Sequence, residues 1–290
     1  MKDSVSYKVF KVVNTIILLL IVFITVFPFI NVLAQSFSSE AYINAGKVNL
    51  IPRGFNIDTY RTVAKDAMFW TNYKNTVVYT VVGTVISMFM TTIFAYALSK
   101  KRLMGRKFLT MFAVFTMFFN GGLIPNYVLI NSLGFANSIW AIVVPGAISI
   151  YNMLIMKSFF ENMPEELEEA ASIDGLNTYG ILFRIILPLS KAIMATMMLF
   201  YAVGHWNSWF SAFLYMDQKE LFPVTVYLRN LIAGATGGAS AGATSADNLT
   251  QISANIKSVT MVLTILPILL IYPFVQKYFV SGVMLGSVKG

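Results

Sequence analysis

The chain has 290 residues, of which 57% are apolar and only 12% charged, and its mean hydropathy is +0.69. Soluble domains carry roughly 25% charged residues, so this composition excludes a soluble domain and indicates an integral membrane protein. The net charge of +8 includes no basic patch interleaved with aromatic residues, and a nucleic-acid partner is therefore not expected. The absence of cysteine excludes disulfides, thiolate metal sites and cysteine nucleophiles.

Six apolar runs have about the length of 20 residues that crosses a bilayer. Helices are expected in all six, because unpaired backbone groups are too costly in lipid and the alternating pattern of a barrel is missing. The sequence thus predicts an all-α polytopic membrane protein with one transmembrane domain over residues 1–290. The predicted spans are about 12–34, 76–98, 108–130, 136–156, 192–214 and 258–276.

The first apolar run follows Lys2, Lys8 and Lys11, a pattern that also precedes secretory signal peptides. Its length exceeds the roughly 7–15 residues of a signal-peptide core, so a retained membrane anchor is the preferred interpretation. The small residue of Val32-Leu33-Ala34 keeps a cleavable signal peptide open as the alternative.

Basic residues in the short loops predict the orientation. The loop 99–107, between the second and third spans, contains five Lys or Arg residues, whereas the loop 131–135 contains no charge. Because Lys and Arg concentrate on the cytoplasmic side, both termini and the segment 160–190 are predicted to be cytoplasmic. The acidity of that segment does not contradict the orientation, since acidic residues contribute little to topology.

Two segments are then expected on the outer side. Residues 35–74 mix aromatic and polar residues, which favours short interfacial helices over a separate domain. The tract 233–247 consists almost wholly of Gly, Ala, Ser and Thr. A flexible loop and a loop that reaches into a partner or ligand explain it equally well.

The cytoplasmic segment 160–190 carries the most specific pattern. Pro164 with Glu165 and Glu166 suits the first turn of a helix, and Gly175 suits its end. A short helix with the small residues Ala170 and Ala171 on one face is predicted. An amphipathic connector on the bilayer is disfavoured, because its acidic residues would be repelled by an anionic leaflet, and docking to another protein is preferred.

The spacing Glu169-Ala170-Ala171, three residues, Gly175, nine residues, Ile185, one residue, Leu187-Pro188 resembles the EAA loop of bacterial ABC-importer permeases. The resemblance covers nearly the whole chain and is to carbohydrate-uptake permeases of the maltose-permease type. The run 118–127, FFNGGLIPNY, is similar to the Gram-positive branch that serves oligosaccharides. Further matching segments are Pro52, 55–60, 72–76, 124–127, 133–137, 163–167 and Trp206-Asn207.

The resemblance implies a type I importer permease fold in the bacterial plasma membrane, with a cytoplasmic coupling helix. It also implies four kinds of partner: membrane lipid, a second permease subunit, two cytoplasmic ATPases and an extracytoplasmic sugar-binding protein. This chain lacks the G-x-x-x-x-G-K-[ST] phosphate loop, so it is expected not to be an enzyme, and ATP and Mg would be bound by the ATPases. The residues that the resemblance assigns to ATPase coupling are Glu169, Ala170, Ala171, Asp174 and Gly175.

Polar and aromatic residues in the fifth predicted span are candidates for the substrate pathway. Helical spacing places Tyr201, His205 and Ser208 on one face, and Trp206, Trp209 and Phe213 on another. Polar residues at membrane depth favour a cavity, which includes Asn207, whereas an interfacial aromatic belt is an equal alternative for Trp209. The single histidine is not expected to bind a metal. The pathway candidates are Tyr201, His205, Trp206, Asn207 and Ser208; they do not identify the sugar.

Two other functional classes compete with the importer permease. A secondary transporter is disfavoured because no repeat is evident and no charged residue lies well inside a span. A membrane enzyme is disfavoured because the acidic residues at 165–174 lie on a solvent-facing connector without a histidine or metal motif.

Overall fold

The computed structural model describes residues 4–236 and 254–287, in which helices are joined by loops and there is no β-strand. Residues 237–247 of the small-residue tract lie outside the described residues. A π-helical turn (Leu182–Ile186) and a 3₁₀ turn (Lys219–Leu221) accompany fifteen α-helices in the described ranges. These are α1 (Val5–Ser36), α2 (Glu40–Asn44), α3 (Asp58–Lys65), α4 (Ala67–Ser99), α5 (Arg106–Phe118), α6 (Leu123–Ser132), α7 (Trp140–Val143), α8 (Ile150–Glu161), α9 (Glu166–Ile173), α10 (Thr178–Ile181), α11 (Leu187–Leu189), α12 (Lys191–Trp206), α13 (Phe210–Tyr215), α14 (Val224–Thr236) and α15 (Ala254–Ser287).

The described residues form two compact units. One lies within Met1–Phe69 and Leu228–Leu266, and the other within Trp70–Tyr227 and Pro267–Gly290. The functional candidates named above all belong to the second unit.

In the first unit, polar side chains connect the end of α1 to the start of α15. Asn255 donates a hydrogen bond from Nδ2 to the carbonyl of Ser38 at 2.6 Å, and Ser258 bonds to the Gln35 side chain at 3.2 Å. The short helices expected in 35–74 are present as α2 and α3. Tyr60 of α3 donates a hydrogen bond to Ser36 at 2.8 Å, so local contacts tie this segment to the end of α1.

The second unit is organised around one face of α4. Residues at spacings of three and four along this helix are buried, as expected for a helix that packs along a stripe. The C-terminal half of α4 shares a core with α8, α9 and the segment that leads into α12. The fully or almost fully buried members of this core include Ala95, Leu98, Met153, Met156, Phe160, Ile181, Leu182, Ile186 and Met197.

Three described helices are long and apolar enough to cross a membrane, namely Tyr7–Ser36, Ala67–Ser99 and Asn255–Pro273. The count rises to five if each of two bent pairs is one span. These pairs are α5 with α6, bent by 112°, and Thr178–Leu189 with α12, bent by 87°.

Three of the predicted spans are therefore not single continuous helices. The span 108–130 breaks between α5 and α6, where Gly122 has φ +97° and Pro125 enters the first turn of α6. The span 136–156 breaks between α7 and α8 around Pro145 and Gly146. Glycine adopts the positive φ of the first break without strain, and proline cannot donate a helical hydrogen bond at the second. The span 192–214 is interrupted after α12, where Asn207 ends the helix.

Candidate functional site

The short helix predicted within the segment 160–190 is present as α9. Its first turn contains Glu166, Glu168 and Glu169, which face the positive end of the helix dipole. The helix ends at Asp174, and Gly175 has φ +83°. The backbone N–H of Leu176 then bonds to the carbonyl of Ala171 at 3.0 Å. Glycine is suited to this left-handed position, so the sequence prediction of where the helix stops is confirmed.

The two faces of α9 differ in burial. Ala171 is buried in the core of the second unit, whereas Glu169, Ala170 and Asp174 are exposed. Ile173 is 86% exposed, and Tyr179 of the next helix is 67% exposed. Acidic, small and large apolar side chains are thus exposed on and just after α9, a composition that suits contact with another protein better than contact with water.

Ion pairs join the basic loop 99–107 to the acidic segment that contains α9. Lys100 pairs with Glu168, and its Nζ also lies 4.2 Å from the centre of the Tyr96 ring. Arg106 pairs with Glu161, and Lys101 lies 2.7 Å from Glu165. The two loops that the sequence places on one side of the membrane are therefore in direct contact.

The ion pairs differ in exposure. The side chains of Lys100 and Glu168 are only 17% and 16% exposed, whereas those of Lys101 and Glu165 are 77% and 70% exposed. The hydrogen bond from Lys101 lowers the pKa of Glu165, but solvent screens a pair in this position. The Lys100–Glu168 pair therefore contributes more to holding α9 against the end of α4.

A cavity of about 340 Å³ lies on the α12 side of the same unit. Tyr201, His205 and Ser208 all line it, although Ser208 lies beyond the end of α12. Other lining residues come from the α7–α8 connection, the start of α8 and the start of α13. The remaining lining residues are Ile142, Pro145, Gly146, Ser149, Asn152, Phe200, Gly204 and Ser211.

Two of the cavity residues are held by hydroxyl groups of α4. The Tyr201 hydroxyl lies 2.6 Å from Thr91 Oγ1 and accepts a hydrogen bond from the backbone N–H of Ser149 at 3.0 Å. His205 Nε2 lies 3.2 Å from Ser87 Oγ. The imidazole also occupies the space that Gly83 leaves, since a Cβ added there would lie 2.7 Å from the ring. These contacts fix both rings at the cavity wall.

Trp206 and Asn207 do not line this cavity. Trp206 is buried, and its ring meets Tyr73 edge-on at 5.8 Å between centroids. Asn207 is exposed, and its Nδ2 donates a hydrogen bond to the Val203 carbonyl at 2.9 Å. Its described role is therefore to close the end of α12.

Sequence reasoning did not identify the partners of Tyr201 and His205. The available signal was a row of hydroxyl side chains on α4 at spacings of three and four, formed by Thr80, Thr84, Ser87 and Thr91. It also missed Ser149 and Asn152, which precede and begin a helix that the sequence placed inside a longer span. Helical spacing within one segment cannot show which distant segment packs against it.

A sequence model of the family described as "Binding-protein-dependent transport system inner membrane component" matches residues 67–284. The chain belongs to this family. The matched range contains α9, the basic loop and the cavity of the second unit.

Individual relatives agree with this assignment over almost the whole chain. The polygalacturonan/rhamnogalacturonan transport system permease protein YtcP of Bacillus subtilis is 41% identical over 273 residues, which are 94% of this chain and 96% of that protein. The arabinooligosaccharides transport system permease protein AraQ of Halalkalibacterium halodurans is 27% identical over 93% of each chain.

A solved structure extends the similarity to the fold. A chain of a bacterial ABC transporter involved in the import of the acidic polysaccharide alginate superposes with a TM-score of 0.87 and is 34% identical. The alignment covers 96% of this chain and 99% of that one. This all-helical chain therefore has the ABC-importer permease fold and is a membrane component of a binding-protein-dependent transport system.

Proposed function

We propose that this permease imports a carbohydrate, an oligosaccharide in particular, using ATP that separate subunits hydrolyse. The supporting observation is the 41% identity to a permease named for polygalacturonan and rhamnogalacturonan over 94% of this chain. The names of the other relatives, for arabinooligosaccharides and for alginate, point to the same substrate class.

The proposed complex contains a second permease, two cytoplasmic ATPases that bind ATP and Mg, and an extracytoplasmic sugar-binding protein. In this assembly the chain forms one domain with six spans and two cytoplasmic termini. The contact between the basic loop 99–107 and the acidic segment around α9 supports a common side for these two loops.

The exposed surface of α9 is the proposed ATPase contact. Glu169 is accessible to a basic residue of the ATPase, and Ala170 permits close approach beside it. Ala171 and Gly175 shape this contact from within the chain, because Ala171 packs into the core and Gly175 turns the backbone after Asp174. Ile173 supplies exposed apolar area next to the charge.

Tyr201, His205 and Ser208 form the proposed pathway wall. Trp206 and Asn207 are further pathway candidates at the end of α12, outside this cavity. The aromatic rings and hydroxyl groups suit a sugar, whose ring faces are apolar and whose edges form hydrogen bonds.

Reconstitution tests this function against a secondary transporter. Proteoliposomes with the full complex should accumulate the sugar only with internal ATP and external binding protein, and the isolated chain should neither transport nor hydrolyse ATP. Sugar uptake by the isolated chain under an ion gradient would support the secondary transporter instead.

A further inference from the structure

The side chain of Asn152 is the least explained polar group of the cavity. Asn152 lines the cavity, and the residue is only 6% exposed. Its backbone N–H bonds to Ser149 Oγ at 3.4 Å, but its side-chain amide forms no hydrogen bond within 4–236 and 254–287. Its amide atoms are not among the fully enclosed side-chain atoms without a partner in the described residues, so they are open to the cavity. The amide is therefore available to a ligand.

The rest of the cavity wall narrows the chemistry of that ligand. Among the described residues that line it there is no Lys, Arg, Asp or Glu. Ser208 and Ser211 provide hydroxyl groups, and no atom lies within 4 Å of a Cβ built on Gly146 or Gly204. The wall thus offers neutral donors and acceptors with open space between them.

The aromatic residues add an apolar surface. The hydroxyl of Tyr201 is already engaged by Thr91 and Ser149, so its ring rather than its hydroxyl is left for contact with a ligand. Phe200 also lines the cavity. The volume of about 340 Å³ is at the small end of the roughly 300–1,000 Å³ of ligand pockets, which fits a single small cyclic unit.

We propose that this cavity binds one uncharged sugar unit of the passing oligosaccharide. The Asn152 amide forms hydrogen bonds with adjacent hydroxyl groups of that sugar unit. The inference rests on the proposed carbohydrate import and adds that this subunit contacts the substrate directly. A uronate unit does not fit this site, because a carboxylate without a cation nearby is costly to desolvate.

Uptake by the assembled importer in proteoliposomes tests the proposal with a matched pair of sugars. One is a galacturonate-containing oligosaccharide, and the other is the same compound after reduction of its carboxyl groups to hydroxymethyl groups. Asn152→Leu should lower uptake of the reduced sugar by about tenfold, the factor that corresponds to 1.4 kcal/mol. The control Asn131→Leu, an exposed amide of α6 bonded to its own helix, should keep the wild-type rate.

Stability provides a readout that separates binding from a structural role. Because the Asn152 amide has no described protein partner, Asn152→Leu should leave the melting temperature unchanged or raise it. Wild-type uptake of the reduced sugar by a folded Asn152→Leu complex would overturn the proposal, as would a fall in melting temperature that matches the loss of uptake. An equal, tenfold loss of galacturonate-sugar uptake in Asn152→Leu would overturn the uncharged assignment.

Labelling of a single cysteine gives a second measurement that leaves Asn152 intact. The natural chain has no cysteine, so Ser211→Cys in the cavity and Ser132→Cys on exposed α6 each carry one thiol. The reduced sugar, supplied with binding protein and ATP, should slow thiol labelling at position 211 but not at 132. Equal labelling with and without sugar during active uptake would overturn the proposal. If the wild-type complex imports no saccharide at all, the proposed function fails and this inference fails with it.

Discussion

Two regions of the second unit stabilise their polar groups in different ways. One is the junction, where the loop 99–107 contacts the segment around α9, and the other is the cavity beside α12. At the junction, Lys100 and Glu168 pair as charges although each side chain is less than one-fifth exposed. In the cavity, the described lining carries hydroxyl, amide, imidazole and phenol groups without an acidic or basic pair. Of these two regions, only the junction, which is predicted to meet water and another protein, carries ion pairs.

This difference follows from the partners that each region binds: the junction keeps one set of partners, whereas the cavity must release its ligand. Ion pairs of defined partners fix one geometry, because removal of one partner leaves an unpaired charge. Neutral groups can exchange partners at lower cost, which suits a ligand that must leave again. The comparison predicts that charge changes at the junction impair coupling or stability, and that changes in the cavity impair sugar passage without unfolding the chain.

Glu169→Lys should have the largest effect on transport. The substitution reverses an exposed charge on the proposed ATPase contact, and loss of one partner of a buried interfacial charge pair costs about 2–5 kcal/mol. Sugar-stimulated ATP hydrolysis and uptake should fall together by more than tenfold, while the amount of chain in the membrane stays constant. Wild-type uptake would remove Glu169 from the contact.

Lys100→Glu should have the next largest effect, through stability rather than through docking. A hydrogen bond to a charged group contributes about 1.5–3 kcal/mol, and the substitution also places two carboxylates together. Thermal unfolding of Lys100→Glu, Glu168→Lys and the double variant measures the coupling between these residues. The double variant should recover part of the loss.

The exposed pair Lys101 and Glu165 is the matched control for that experiment. The same exchange of charges there should leave the melting temperature almost unchanged, because solvent screens an exposed pair. Equal losses at both pairs would contradict the claim that burial makes the Lys100–Glu168 pair the stronger one.

Gly175→Leu should impair transport more than stability. Gly105, before α5, offers a matched control, because it also has positive φ (+73° against +83°) and open space around its Cβ position. A left-handed backbone costs a side-chain-bearing residue about 1–2 kcal/mol, so both leucine variants should lose similar stability in a thermal melt. Only Gly175→Leu should lower uptake strongly, and equal losses of uptake would argue against a specific role for the end of α9.

Asn207→Leu should have the smallest effect. Its amide is exposed and bonded within its own helix, so the loss corresponds to one ordinary hydrogen bond of about 0.5–1.5 kcal/mol. Uptake should fall less than in Asn152→Leu, with unchanged affinity of the binding protein for sugar. Trp206→Ala, in contrast, should reduce the yield of folded complex, because its buried ring packs against Tyr73. A larger effect of Asn207→Leu than of Asn152→Leu would place the main sugar contact at the end of α12.

The sequence predicts those features that depend on neighbouring residues. The acidic first turn of α9 and its end at Gly175 follow from spacing within one segment. Prolines within the predicted spans indicate kinks near these places, but the complete breaks near Gly122 and at Pro145-Gly146 are not predicted, because apolar composition on both sides hides a change of direction. The position of Asn152 at the cavity and the hydroxyl partners on α4 arise from packing between distant segments, which spacing alone does not specify.

Crosslinking from Ile173, the most exposed apolar residue of α9, tests the coupling role of this helix without changing any of its charges. With Ile173→Cys as the single thiol of this chain, a short thiol-reactive crosslinker should join it to an ATPase subunit in the active complex. Ser211→Cys, in the cavity, should give no such product. Crosslinking of position 211 but not 173 to the ATPase, or labelling of position 173 by an impermeant reagent from outside the cell, would contradict the assignment of α9 as the cytoplasmic coupling helix.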